Sequence, residues 1–274
     1  MLALLLCGAI SCIHEEPVTI PPAYDIKEEL KEPIVFSVLD TITKVTDVIS
    51  LNSFYVVAYS LKRESVVWSQ EFSYNDDMGG YVGDKYWPEN DLQYMFYASN
   101  VMFTNTATAE LKVYNTKDVV FARQVYSSSY YKNEVPLHFE HIFAKIGYCR
   151  IIPPSGYSVS NAKVQVLAGS YGSYYGNGTW LTYQNTTYTL TDTIDSTISN
   201  DILVIPATYT LNLSYILTKD AYRETFTKSV PVTLVAGKTN NIILNLPDGN
   251  DSGAPGGGVV IDPWEGGGDV GESM

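Results

Sequence analysis

The sequence predicts an all-β chain folded as two tandem antiparallel sandwiches. Three observations lead there. The chain carries 22 Tyr among many Thr, Val and Ser, residue types that suit pleated, half-buried strands. Its apolar residues recur with period two in many short runs spaced by ~8 to 12 residues, as sandwiches require. No stretch holds an apolar stripe at i, i+3, i+4 and i+7 over three turns, and the best helical candidate, His141 to Lys145, is short.

The chain begins with an apolar run, Leu2 to Ile10. It is too short to cross a bilayer core, which takes ~20 residues, and fits the ~7 to 15 residue core of an export signal. It ends in Ala9-Ile10-Ser11-Cys12, so residues 1–11 read as a lipoprotein signal peptide and Cys12 as the lipidated first residue of the mature chain. Two acyl chains on Cys12 would hold the chain at a membrane surface where one binds marginally. The leader has no Lys or Arg, and the competing reading is an apolar N-terminal strand with a chance cysteine. Of three cysteines, Cys7 leaves with the leader and Cys12 takes the lipid, so no disulfide framework remains. Cys149 sits among Ile146, Tyr148 and Ile151 and reads as a small buried apolar side chain.

Residues 12–33 form an acidic, Pro-rich tether: residues 13–33 hold six acids against Lys27 and Lys31, with Pro17, Pro21, Pro22 and Pro33. Residues 248–274 hold six acids and no base. These ends account for −10 of the net −13, so residues 34–247 are nearly neutral. Such a surface argues against nucleic acid, which wants a basic face.

Within residues 34–247 the first strand is Ile34 to Leu39. Phe54 to Tyr59 is apolar on both faces and therefore central. Tyr94 to Ala98 and Val119 to Ala122 continue the series, and Val135 to Ile152 is a long apolar stretch closed by Pro153-Pro154-Ser155-Gly156. Tyr209 to Tyr215 alternates cleanly, as a strand with one wet face does. Val230, Val232 and Leu234, the turn Ala236-Gly237-Lys238-Thr239, and Ile242, Leu244 and Leu246 read as a hairpin. The span is twice the ~100 residues of one sandwich, so an N-terminal sandwich over 34–132 and a C-terminal one over 133–247 meet at Tyr130–Asn133.

Catalytic and metal motifs are weak. His138-Phe139-Glu140-His141 is not the helical His-Glu-x-x-His zinc pattern, and on a strand His141 points away from His138 and Glu140. There is no Gly-x-Ser-x-Gly, and the acids are concentrated in the tethers, so no enzyme, metal or cofactor is expected. Tyr171, Tyr174, Tyr175, Trp180 and Tyr183 cluster between Gly-rich turns and are candidate ligand-contact aromatics for a glycan or protein on a host or bacterial surface, against ordinary strand residues. In the acidic, Gly-rich tail, Val259, Val260, Ile261 and Trp264 form a short apolar segment suited to strand insertion, in its own chain or in another subunit, although Pro263 cannot donate to a ladder.

Six segments together resemble the fimbrillin family of exported pilin-like lipoproteins. They are Ser50 to Val56, Lys85-Tyr86-Trp87-Pro88, Phe96 to Asn100, Asp118 to Ala122, Leu137 to Gly147 and Val235 to Ile242. The resemblance implies transthyretin-like Greek-key sandwiches and an outer-membrane lipoprotein that assembles with other fimbrial subunits. It also implies that a protease removes the first strand and that a C-terminal strand of another subunit fills the groove. Lys44 is the basic residue placed for that cut, since the first Arg, Arg63, lies beyond the strong Phe54 to Tyr59 strand. Glu15 and Glu16 look like the family's acidic surface-export signal, and Thr41, Thr193 and Ser196 match its O-glycosylation pattern.

Overall fold

A computed structural model describes residues 32–38, 51–88, 93–127, 134–190, 200–247 and 256–263. The described residues form strands and no helix: β1 (Pro33–Val38), β2 (Ser53–Ser60), β3 (Ser65–Asn75), β4 (Gly80–Tyr86), β5 (Gln93–Ser99), β6 (Leu111–Tyr114), β7 (Val120–Ser127), β8 (Val135–Leu137) and β9 (Glu140–His141), then β10 (Ala144–Ile152), β11 (Ser158–Tyr174), β12 (Trp180–Leu190), β13 (Ile202–Val204), β14 (Ala207–Lys219), β15 (Tyr222–Leu234), β16 (Lys238–Asn245) and β17 (Gly256–Pro263). The helical candidate at His141 to Lys145 is instead the end of β9 and the start of β10.

The first sheet has eight strands in the order β8-β1-β4-β3-β2-β5-β7-β9. β8 and β9 lie at its opposite ends, yet only His138 and Phe139 separate them in the chain. A link of two residues cannot span an open sheet of eight strands at ~4.8 Å each, so the sheet rolls until its ends meet. There the Tyr126 hydroxyl of β7 donates to the Pro136 carbonyl of β8. The inside of the roll is aromatic, with Phe36 edge-on to Phe72 and Phe96 at 4.8 and 5.2 Å between ring centroids. β2 is central, flanked by β3 and β5. The expected domain boundary at 132/133 lies outside the described residues; beyond it, β8 and β9 still pair in this first sheet.

Two further sheets face each other across a second core. One runs β13-β10-β16-β17 and the other β12-β11-β14-β15. Ile146, Cys149 and Ile151 of β10 and Ile242 and Leu244 of β16 meet Val164 and Val166 of β11, Leu211 and Leu213 of β14 and Val230 and Val232 of β15. The expected β15–β16 hairpin does not form. β15 pairs with β14 through a turn at Asp220, whose φ is +50°, while β16 pairs in parallel with β10. Both strands aim their apolar rows into the same core from opposite sheets, so the turn at Gly237 carries the chain over the edge of that core.

β6 ties the two halves together. β14 follows β11 only as far as Val166↔Leu211. From Tyr171 onward β6 takes the vacated side of β11, with Tyr171↔Tyr114 through Tyr174↔Leu111 in register. A third core fills the junction, with Phe103, Leu111, Val113, Phe121, Phe143 and Ile205 buried and Tyr174 and Trp180 packed against them.

Candidate functional site

Two places bear on function: the seat of β1 and the cleft where the halves meet. β1 is an interior strand, antiparallel to β4 and parallel to β8. Its sequence alternates little because both faces are covered, and Ile34 and Phe36 have zero exposure. Burial of such side chains contributes about 1.5–3 kcal/mol each. At the far end of the chain, β17 is an edge strand on β16, where Val259, Val260 and Ile261 oppose Ile242, Asn241 and Asn240. The segment thus sits in its own chain. Cys12, Thr41, Lys44, Thr193, Ser196 and Trp264 lie outside the described residues.

The aromatic cluster divides into a packed part and an outer part. Tyr174 and Trp180 meet at 5.2 Å, and Trp180 lies 5.3 Å from Phe143 at the centre of the third core. Tyr171 stacks on Tyr114 across β6 and β11, ring centroids 4.1 Å apart and planes 14° from parallel. Tyr183 is half exposed, 5.5 Å from Tyr171, and its hydroxyl lies 3.0 Å from Ser173 Oγ. The Tyr175 hydroxyl titrates above its ordinary value through desolvation and its bond to Tyr183.

Beside Trp180 a cleft of about 500 Å³ opens between β7, β9 and the β11–β12 hairpin, lined by Arg123, Gln124, Glu140, Tyr174, Asn177 and Trp180. The hairpin tip is fixed from within: Tyr175 N–H donates to the Thr179 carbonyl at 3.0 Å, and Asn177 Oδ1 accepts from Thr179 N–H at 3.1 Å and Thr179 Oγ1 at 2.7 Å. Gly176 faces Tyr97 and Ala109 so closely that a Cβ would fall 2.7 Å from the Tyr97 ring. Tyr174 titrates above its ordinary value, mainly through desolvation, then through the Glu140 carboxylate, with Arg123 opposing. His138 and His141 also line the cleft, and His141 Nδ1 lies 2.6 Å from Asp118 Oδ2. Among the described residues no three His, Cys, Asp or Glu side chains gather as a metal site. Burial pushes the Cys149 thiol up to about 12, so it is no nucleophile.

Arg123 and Gln124 went unnoticed in the sequence, and Glu140 was weighed there only as part of a metal motif. They are joined by β7–β9 pairing, in which Phe121 opposes Glu140, and only the Asn177-Gly178 turn dipeptide beside the tyrosines marks the place.

The fimbrillin-like family profile matches residues 43–264. The chain belongs to the fimbrillin-like family. This fimbrillin-like chain is also similar in fold to a fimbrial protein from Bacteroides vulgatus ATCC 8482, at 14% identity and a TM-score of 0.53, covering 85% of this chain and 99% of that one. A protein of Parabacteroides distasonis ATCC 8503, provisionally assigned to cell adhesion, aligns at 10% identity and a TM-score of 0.54 over 86% of this chain and 96% of that one. No curated protein matches the fimbrillin-like chain in sequence.

Proposed function

We propose that the protein is a structural subunit or adhesin of a cell-surface fimbria, exported as a lipoprotein through Cys12 and assembled by strand exchange. Its role is mechanical and adhesive, without catalysis. The observation that carries this reading is the seat of β1, an interior strand at the N-terminal end of the rolled sheet with its apolar residues fully buried. Cleavage after Lys44 would free β1 together with the lipid. The edges of β4 and β8 would then be bare and the Phe36 site empty, an arrangement that persists only until another strand fills it. Val259 to Ile261, held on one side only by β16, is the donor from another copy or another subunit. Membership of the fimbrillin-like family and the fold shared with a fimbrial protein support the setting.

The test is N-terminal sequencing of the protein recovered from cell surfaces, with detergent gels run after mild heating. The expected result is a ladder of oligomers whose chains begin at Val45. Ladders whose chains all begin at Cys12 would rule out the cleavage step.

A further inference from the structure

The cleft beside Trp180 holds two charged side chains that no ion pair among the described residues uses. Arg123 carries its guanidinium on β7, with Nε donating to Met95 Sδ at 3.4 Å, and Glu140 carries its carboxylate on the neighbouring β9. A guanidinium only donates and a carboxylate only accepts, so the two present opposite halves of a hydrogen-bond pattern without satisfying each other. Asn177 adds an amide from the hairpin tip, with its oxygen already committed to Thr179. Tyr174 and Trp180 supply an apolar wall held by Phe121 and Phe143.

We propose that this cleft is a glycan subsite that holds one neutral sugar ring through a pair of vicinal hydroxyls. A hydroxyl both donates and accepts, so neighbouring hydroxyls can accept from Arg123 and donate to Glu140 at once. The C–H face of the ring lies against the aromatic wall, where a flat apolar surface loses water with little loss of hydrogen bonding. The charges also select against other small ligands. A lone carboxylate meets Glu140, a lone amine meets Arg123, and a neutral ring satisfies both. At about 500 Å³ the cleft is of the size that small-ligand sites use, and the fixed hairpin tip means little is lost in ordering it. The biological setting rests on the surface-protein reading above, but the chemistry does not depend on strand exchange.

The experiment is a titration of the purified chain, followed by NMR or calorimetry, with the methyl glycosides of glucose, galactose, mannose and N-acetylglucosamine, and with glycine and sialic acid as charged probes. At least one neutral glycoside is expected to bind at ~1 mM. Arg123→Gln and Glu140→Gln, both exposed positions, are each expected to weaken it at least about ten-fold with the melting temperature unchanged. Trp180→Ala is avoided because Trp180 packs on Phe143. Absence of binding by all four glycosides, binding that neither variant changes, or tighter binding of a charged probe would each overturn the proposal. None of these outcomes touches the oligomer ladder, which tests the fimbrial reading separately.

Discussion

Phe36 of β1 stands edge-on to Phe72 of β3, with ring centroids 4.8 Å apart and planes at 87°. Both rings have zero exposure, and the edge-to-face arrangement adds about 0.5–1.5 kcal/mol to their burial. Phe36→Ala in the uncleaved chain is therefore expected to lose about 3–5 kcal/mol, read as a lower urea midpoint with unchanged slope. Parent-like stability would mean that the roll does not depend on β1.

Gly172 marks where β11 and β12 press together. A Cβ there would fall 2.5 Å from the Leu181 carbonyl oxygen and 2.9 Å from Ile205 Cδ1. Backbone cannot yield as a flexible side chain does, so Gly172→Ala should destabilise by about 1–3 kcal/mol. A thermal melt checks this, and an unchanged melting temperature would show that the strands can part.

Asn240 is a buried polar residue at the start of the parallel β10–β16 ladder. Its Nδ2 donates to the carbonyls of Lys145 at 3.1 Å and Lys238 at 2.9 Å, and its Oδ1 accepts from Val235 N–H at 3.0 Å. Asn240→Ala leaves these backbone groups unpaired, at about 1–3 kcal/mol. Asn240→Asp is expected to be worse, since it sets a carboxylate against carbonyl oxygens. Hydrogen exchange at the Val235 amide should quicken in both variants; a parent-like rate would show that Asn240 is not what closes that turn.

The Cys149 thiol gives an alkaline signature. Burial pushes it up to about 12, against 9.0 for an ordinary thiol. Below pH ~9 both folded and unfolded chains keep the proton, and the stability linked to this group is fully present. As pH rises from ~9 towards 12 the unfolded chain loses the proton first, and stability falls by about 1.4 kcal/mol per pH unit. Urea unfolding at pH 8 and pH 10 should show this loss, and Cys149→Val should make it smaller. An equal loss in parent and variant would place the titration elsewhere, on the partly buried tyrosines Tyr97, Tyr174 and Tyr209, whose values are also raised by desolvation.

Strands with one wet face were legible from alternation alone, and Tyr209 to Tyr215 is the plainest case. β3 and β12 were not, because they put few apolar side chains inward: Phe72 is the fully buried residue of one and Leu190 of the other. The β15–β16 connection misled because a tight turn reads the same whether it folds a strand back in its sheet or carries it across a core. In the cleft, the tyrosine cluster was visible as composition. The packing of Trp180 on Phe143 and the placing of Arg123 and Glu140 along one cleft depend on how distant strands pair and pack, which no local pattern encodes.

The β6 splice changes how the molecule bears tension. β6 and β11 lie antiparallel along Tyr171–Tyr174, with the third core beneath them. A pull that draws the halves apart along the strand axis loads those hydrogen bonds side by side, in shear, so they must fail together instead of peeling one at a time. The two halves therefore bear such a pull as one piece, because parting them breaks that ladder and uncovers the third core in a single event.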